Sequence, residues 1–88
     1  MTWTVRLSRD AARQLRRLPQ DQQALIRERL REMRDDPFRG DVIPLKGRRW
    51  QGRYRRRVGR YRIIFMPNHT ERIVEISAIL LRNEQTYR

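Results

Sequence analysis

Residues 53–62 read RYRRRVGRYR, and six of these ten side chains are arginine. A guanidinium stays protonated at physiological pH and presents its N–H donors as a planar fork that matches phosphate oxygens. Several on one surface therefore have the chemistry to grip a phosphodiester and to stabilise negative charge that builds on phosphorus during a displacement. Spacing decides which of them share a surface. Alternate residues of a strand face the same way, so Arg55 and Arg57 point together and Tyr54, Arg56 and Val58 point to the other side. In the next run Tyr61, Ile63 and Phe65 form the apolar set, leaving Arg62, Ile64 and Met66 opposite. A hairpin register that sets Arg62 beside Arg55 and Arg57 gathers three like charges on one uncovered face, favourable chiefly with a phosphate between them. The plainer alternative is a solvated basic strand with no specific ligand. No acidic residue lies within 53–62, which counts against an internal salt-bridge network.

The arginines need a sheet and a core behind them, and the rest of the chain supplies both. At 88 residues the chain is expected to form a single domain over 1–88 with one modest core. Trp3, Val5 and Leu7 alternate with Thr2, Thr4 and Arg6, the pattern of a half-buried strand. Ser8 is placed to cap a short helix bearing Ala11, Leu15 and Leu18, which ends at Pro19. A second helix carries Leu25, Ile26, Leu30 and Met33, stops at Asp35-Asp36-Pro37 and completes a helical hairpin. Residues 37–52 read as a long connection with Leu45 and Trp50 as candidate anchors. Strands over 53–58 and 61–66, a turn at 67–70 and a last strand from about Arg72 to Leu81 follow. The order β-α-α-β-β-β predicts an α+β fold with the helical hairpin on one face of a mostly antiparallel four-stranded sheet.

Lys and Arg total 22 against 10 Asp and Glu, a net charge of +12, and Lys46 is the only lysine. Such an excess points to a polyanionic partner, nucleic acid first. There is no cysteine, hence no thiolate chemistry, and no carboxylate cluster with metal-ligand spacing, so neither metal nor cofactor is expected. No apolar run approaches the ~20 residues of a bilayer span and the start has no signal-peptide pattern, so a cytoplasmic protein without membrane contact is expected.

Four stretches, LSRDAARQLRRLP, DDPFRGDVIPLKG, GRYRRRVGRYRIIF and LLRNEQTYR, together resemble the RelE/ParE family of bacterial toxin-antitoxin toxins from end to end. The YRxRVGxYR core (Tyr54, Arg55, Arg57, Val58, Gly59, Tyr61, Arg62) is its most specific part, and the final Arg-x4-Tyr (Arg82, Tyr87) supports it. The resemblance implies a microbial-RNase-like fold and, in the RelE branch, metal-independent cleavage of mRNA on the ribosome. A ribose 2′-OH attacks the adjacent phosphate and the 5′ oxygen leaves. On this implication Arg62 stabilises the transition state, Arg55 and Arg57 bind the substrate phosphates, and Arg82 and Tyr87 complete the catalytic set. It also implies a cognate antitoxin that covers the basic face, contacts with ribosome-bound mRNA and rRNA, and operator DNA only indirectly through the antitoxin.

Two departures from the family stand out. Some members carry lysine on the central strand where this chain has arginine, a poor general base, which leaves Glu75, Glu84 and Tyr87 as candidates for that role. Arg56 stands where an apolar residue is common, and on the helix side it has to snorkel or lie at the sheet's end. Arg60 replaces a usual Asp in the turn. His69 reads as a turn bystander and Trp50 as a pin for the long connection, while Arg13, Arg16 and Arg17 read either as contacts for rRNA phosphates or, at least as well, as a solvated helix face. Two competing functions stay open: a ParE-like toxin that inhibits DNA gyrase by protein contact, and a basic RNA- or DNA-binding module without catalysis.

Overall fold

The computed structural model describes residues 2–81. The first alternating run forms β1 (Thr4–Leu7) and leads directly into α1 (Arg9–Arg16). Ser8 joins the two: its Oγ accepts the Ala11 amide at 3.0 Å, and Asp10 stands in the first turn, where the helix dipole favours an anion. α2 (Gln20–Glu32) follows, and the stripe of Ile26 and Leu30 on α2 and that of Ala11 and Leu15 on α1 are buried. Both stripes meet Tyr61, Ile63, Phe65, Val74, Ile76 and Ile79 of the sheet in a single core.

The remaining elements are β2 (Val42–Pro44), a 3-10 turn at Arg48–Trp50, β3 (Tyr54–Val58), β4 (Tyr61–Asn68) and β5 (Ile73–Leu81). The five strands form one sheet in the order β1-β5-β4-β3-β2, with β1 parallel to β5 and the other neighbours antiparallel. The architecture is the expected α+β one, but the sheet has five strands rather than four. The extra strand lies inside the long connection, where Val42, Ile43 and Pro44 pair with Arg56, Arg55 and Tyr54. Three residues ending in proline leave little strand signal, and proline is tolerated because β2 is an edge. β4 also runs past Pro67, opposite which β3 has no residue, so the turn moves to 69–72. There the Asn68 Oδ1 accepts the Glu71 amide at 3.0 Å and Arg72 takes φ 57°.

β5 contains a bulge. Ile64 pairs with Ala78 but Phe65 pairs with Ile76, so Ser77 is an extra residue and the parity of the strand reverses there. Val74 and Ile76 before the bulge, and Ile79 after it, all join the core, whereas Ala78 and Leu80 pair with Ile64 and Arg62 on the opposite face. α1 grips the irregularity from both sides: Ser8 Oγ donates to the Ser77 carbonyl at 3.1 Å, and the Ile79 amide donates to Gln14 Oε1 at 2.7 Å.

Candidate nucleic-acid interface

The register of the β3–β4 hairpin places the arginines. Arg57 lies directly opposite Arg62, and Arg55 lies opposite Ile64, all on the face turned away from the helices. Arg55, Arg57 and Arg62 thus share one face, as strand parity predicts. The face is not bare, however. Ile64 and Leu80 are buried, and Arg55 is only 8% exposed. Arg57, with 38% of its side chain exposed, is the more accessible of the β3 pair. Arg55 supports it from a drier position, where its charge is less screened.

An acid does reach this cluster, from outside the arginine segment. Asp41, just before β2, brings Oδ1 to 3.4 Å from Arg55 Nη1 and Oδ2 to 3.9 Å from Arg57 Nε. Its backbone carbonyl accepts the Arg57 amide at 2.9 Å. Neither side-chain contact is a hydrogen bond, and both of these guanidinium nitrogens are buried without a hydrogen-bond acceptor among the described residues. Nothing within 53–62 signals Asp41, because it arrives through the short β2 pairing, whose three residues carry little strand pattern of their own. The pair Val42-Ile43 ahead of Pro44 was the available signal.

Arg56 points to the helices, as parity requires, yet it neither snorkels nor sits at the end of the sheet. It is 5% exposed, and its Nη2 donates to Glu32 Oε1 at 2.9 Å while Nη1 donates to the Arg29 carbonyl at 3.3 Å. Glu32 also accepts from Arg29 at 3.0 Å. The hydrogen bond from Arg56, joined by the charges of Arg29, Arg56 and Arg39, holds the Glu32 carboxyl below its usual pKa against the opposing effect of burial. Gly40, at φ 90°, packs against this guanidinium: a Cβ there would stand 3.2 Å from Nη2. The lock fixes the backbone that carries Asp41.

The other sequence candidates fall into place around this centre. Glu75 is engaged by Arg6, whose Nη2 and Nε donate to Oε1 at 2.6 and 3.1 Å. His69 belongs to an aromatic group at the far turn, stacked on Phe38 at 5.9 Å and edge-on to Trp3 at 5.5 Å. Tyr61 is buried in the core and Tyr54 stacks on Phe65 at 5.7 Å, so both serve packing. Trp50 is half-buried in the 3-10 turn and outside the main core. Arg60 is exposed in the β3–β4 turn. Arg82, Tyr87 and Glu84 lie outside the described residues. Among the described residues no group of three His, Asp or Glu side chains could hold a metal ion, and no helix is long and apolar enough to cross a membrane.

With this geometry the chain is similar to solved toxin structures. It matches the RelE–RelB complex of Pyrococcus horikoshii at 26% identity and a TM-score of 0.82, covering 97% of this chain and 100% of that one. It matches the toxin-antitoxin complex RelBE2 of Mycobacterium tuberculosis at 28% identity and a TM-score of 0.83, covering 93% and 100%. The isolated RelE toxin of E. coli shares the fold at 14% identity and a TM-score of 0.76, over 96% and 88%. No curated protein sequence matches. The family model for the ParE toxin of the type II toxin-antitoxin system, parDE, matches residues 5–86. The chain therefore belongs to the RelE/ParE toxins of type II toxin-antitoxin systems.

Proposed function

We propose that this toxin is a metal-independent endoribonuclease that cuts ribosome-bound mRNA in the cytoplasm and is neutralised by a cognate antitoxin. The observation that carries the reading is the convergence of Arg55, Arg57 and Arg62 on one sheet face, with Arg57 and Arg62 directly opposed. Like charges set opposite each other across a ladder cost stability, and that cost is offset when a phosphate binds between them. In the proposed reaction the ribose 2′ oxygen forms a bond to the neighbouring phosphorus, the bond from phosphorus to the 5′ oxygen breaks, and the products are a 2′,3′-cyclic phosphate and a 5′-OH. Arg62 stabilises the added charge at phosphorus, and Arg55 and Arg57 hold the scissile phosphate and its neighbour.

Arginine does not serve as the base that takes the 2′ proton. Glu75 is committed to Arg6, which leaves Glu84 and Tyr87 of the sequence candidates, with Arg82 assisting the leaving oxygen. Catalysis by charge stabilisation with a weak base is slow, so the proposed enzyme depends on the ribosome to orient the strand. Contacts with rRNA fall to the basic surface, including Arg13, Arg16 and Arg17. The solved relatives from P. horikoshii and M. tuberculosis are complexes with their antitoxins. An acidic antitoxin segment laid over this face would quench the same charges.

The family model carries the parDE name, so gyrase inhibition by protein contact is the second reading. Inducing the protein, mapping mRNA 5′ ends by primer extension and assaying gyrase-dependent DNA cleavage in parallel separates the two. Codon-phased breaks in mRNA without gyrase damage are expected. Arg62→Ala is expected to abolish growth arrest while the fold and antitoxin binding persist; a variant that stays fully toxic removes Arg62 from the mechanism.

A further inference from the structure

The space between Arg55 and Arg57 already holds an anion of the protein's own. The main chain of Asp41 is fixed, through its carbonyl on the Arg57 amide and through Gly40 packed on the Arg56 guanidinium. Its side chain is held far more loosely. The carboxylate stands 3.4 and 3.9 Å from the two guanidinium nitrogens, hydrogen-bonds to neither, and is 52% exposed. On the other face of the same strand, Glu32 meets Arg56 at 2.9 Å in a hydrogen bond. A carboxylate at the longer distances, open to water on its far side, neutralises its cations without locking them. A phosphate oxygen has the same sign of charge and reaches about 2.7–2.9 Å from a guanidinium N–H when it binds well. The two buried donors on Arg55 and Arg57 are left for such an oxygen.

We propose that Asp41 is a resident competitor at the phosphate seat. Its carboxylate occupies the space between Arg55 and Arg57 in the free toxin and rotates into solvent when an RNA phosphate enters, and so sets the affinity of RNA binding. The inference rests on the RNA-binding reading of this face. Rotation of the side chain is sufficient, because the backbone bond to Arg57 does not involve the carboxylate. The device favours polyanions: one small anion exchanges one charge for another, whereas a strand that also places a phosphate on Arg62 gains contacts the carboxylate does not make.

The test compares wild type, Asp41→Asn and Asp21→Asn in binding a single-stranded 2′-O-methyl oligoribonucleotide, which lacks the attacking hydroxyl, by fluorescence anisotropy over a range of salt. Asp21 stands in the first turn of α2, in the helical layer, so its substitution changes net charge equally without touching the seat. Asp41→Asn is expected to bind roughly three- to fivefold tighter than wild type at low salt, the scale of one exposed ion pair. Its plot of log K against log salt should keep the wild-type slope, because the same phosphates are neutralised once the carboxylate has left the seat. Asp41→Ser runs alongside as a second neutral variant, with melting temperatures checking each fold. Binding by the Asp41 variants no tighter than by Asp21→Asn, or weaker than by wild type, overturns the proposal, and weaker binding makes Asp41 a positioner of the arginines. Arg55→Ala and Arg57→Ala in the same assay separate the two levels. If they lose affinity while the Asp41 variants do not gain it, the competitor role alone fails. If they bind like wild type, the RNA reading of this face fails with it.

Discussion

Removing Glu32 should destabilise this protein more than removing the arginine it serves. Arg56 is 5% exposed and has two acceptors, Glu32 Oε1 at 2.9 Å and the Arg29 carbonyl at 3.3 Å. Glu32→Ala leaves a buried cation with the carbonyl alone. Stripping one partner from a fully buried pair costs about 3–5 kcal/mol. The Glu32 side chain is 31% exposed, so water reaches the vacated space and the cost falls to about 2–3 kcal/mol. In a domain of this size that corresponds to roughly 10–20 °C of melting temperature. Arg56→Met removes the cation and keeps most of the packed volume, while Glu32 retains Arg29 at 3.0 Å and its access to water. That exchange should cost about 1 kcal/mol or less. The double variant Glu32→Ala/Arg56→Met should then be more stable than Glu32→Ala alone, because it removes the stranded charge. Urea unfolding followed by circular dichroism, with slopes compared across the set, measures all three. A double variant less stable than Glu32→Ala, or Arg56→Met costing more than Glu32→Ala, refutes the view that desolvated charge rather than packing dominates at this site.

The same pair carries a pH signature. The folded-state pKa of Glu32 lies below its ordinary value of 4.5, so its contribution is fully present above that value and is lost as pH falls through the folded pKa. Denaturation of wild type and Glu32→Gln across this acid range should show the stability gap closing as the solution is acidified, and a constant gap would remove the pair from the acid response. Gln14→Leu strands the Ile79 amide at the β5 bulge and should cost about 1–3 kcal/mol, read as a shifted urea midpoint. An unchanged midpoint would mean that the bulge supports itself. Arg57→Met removes the direct Arg57–Arg62 opposition together with the loose Asp41 contact, two small and opposed effects, and should change stability by less than ~1 kcal/mol while abolishing growth arrest. Loss of both stability and toxicity would make Arg57 structural.

Periodicity made much of this fold legible. Tyr61, Ile63 and Phe65 gave the core face of β4, and with it the opposite placement of Arg62, because strand parity is strict over short runs. What stayed hidden was non-local or irregular. β2 is three residues ending in proline, and its existence depends on β3 as a partner. The bulge at Ser77 reverses parity with no glycine to mark it, and it is held by Ser8 and Gln14, more than sixty residues earlier in the chain. Arg56 looks misplaced in the sequence because its counter-ion is on α2, and the arginine cluster looks free of acid because Asp41 arrives through a strand with no local pattern to mark it. Charges that pair across long sequence separations leave no local pattern.

Contact quality distinguishes arginines that the sequence makes look alike. Arg55, Arg56 and Arg57 are consecutive, and each has a carboxylate within 4 Å, yet only Arg56 is hydrogen-bonded to its acid. A hydrogen-bonded, desolvated pair holds its geometry, and exchanging the partner means re-solvating both ions. A loose, water-exposed contact provides charge neutrality while its donors stay available. Arg56 is therefore committed to the fold, and through Gly40 it fixes the backbone of Asp41. Arg55 and Arg57 are neutralised well enough for the sheet to form beside Arg62, but not so tightly that a phosphate is excluded. Strand alternation makes this division possible, because one residue of offset sends adjacent arginines to opposite faces of the sheet, one toward a helix that supplies a fixed acid and two toward a face that takes a mobile one.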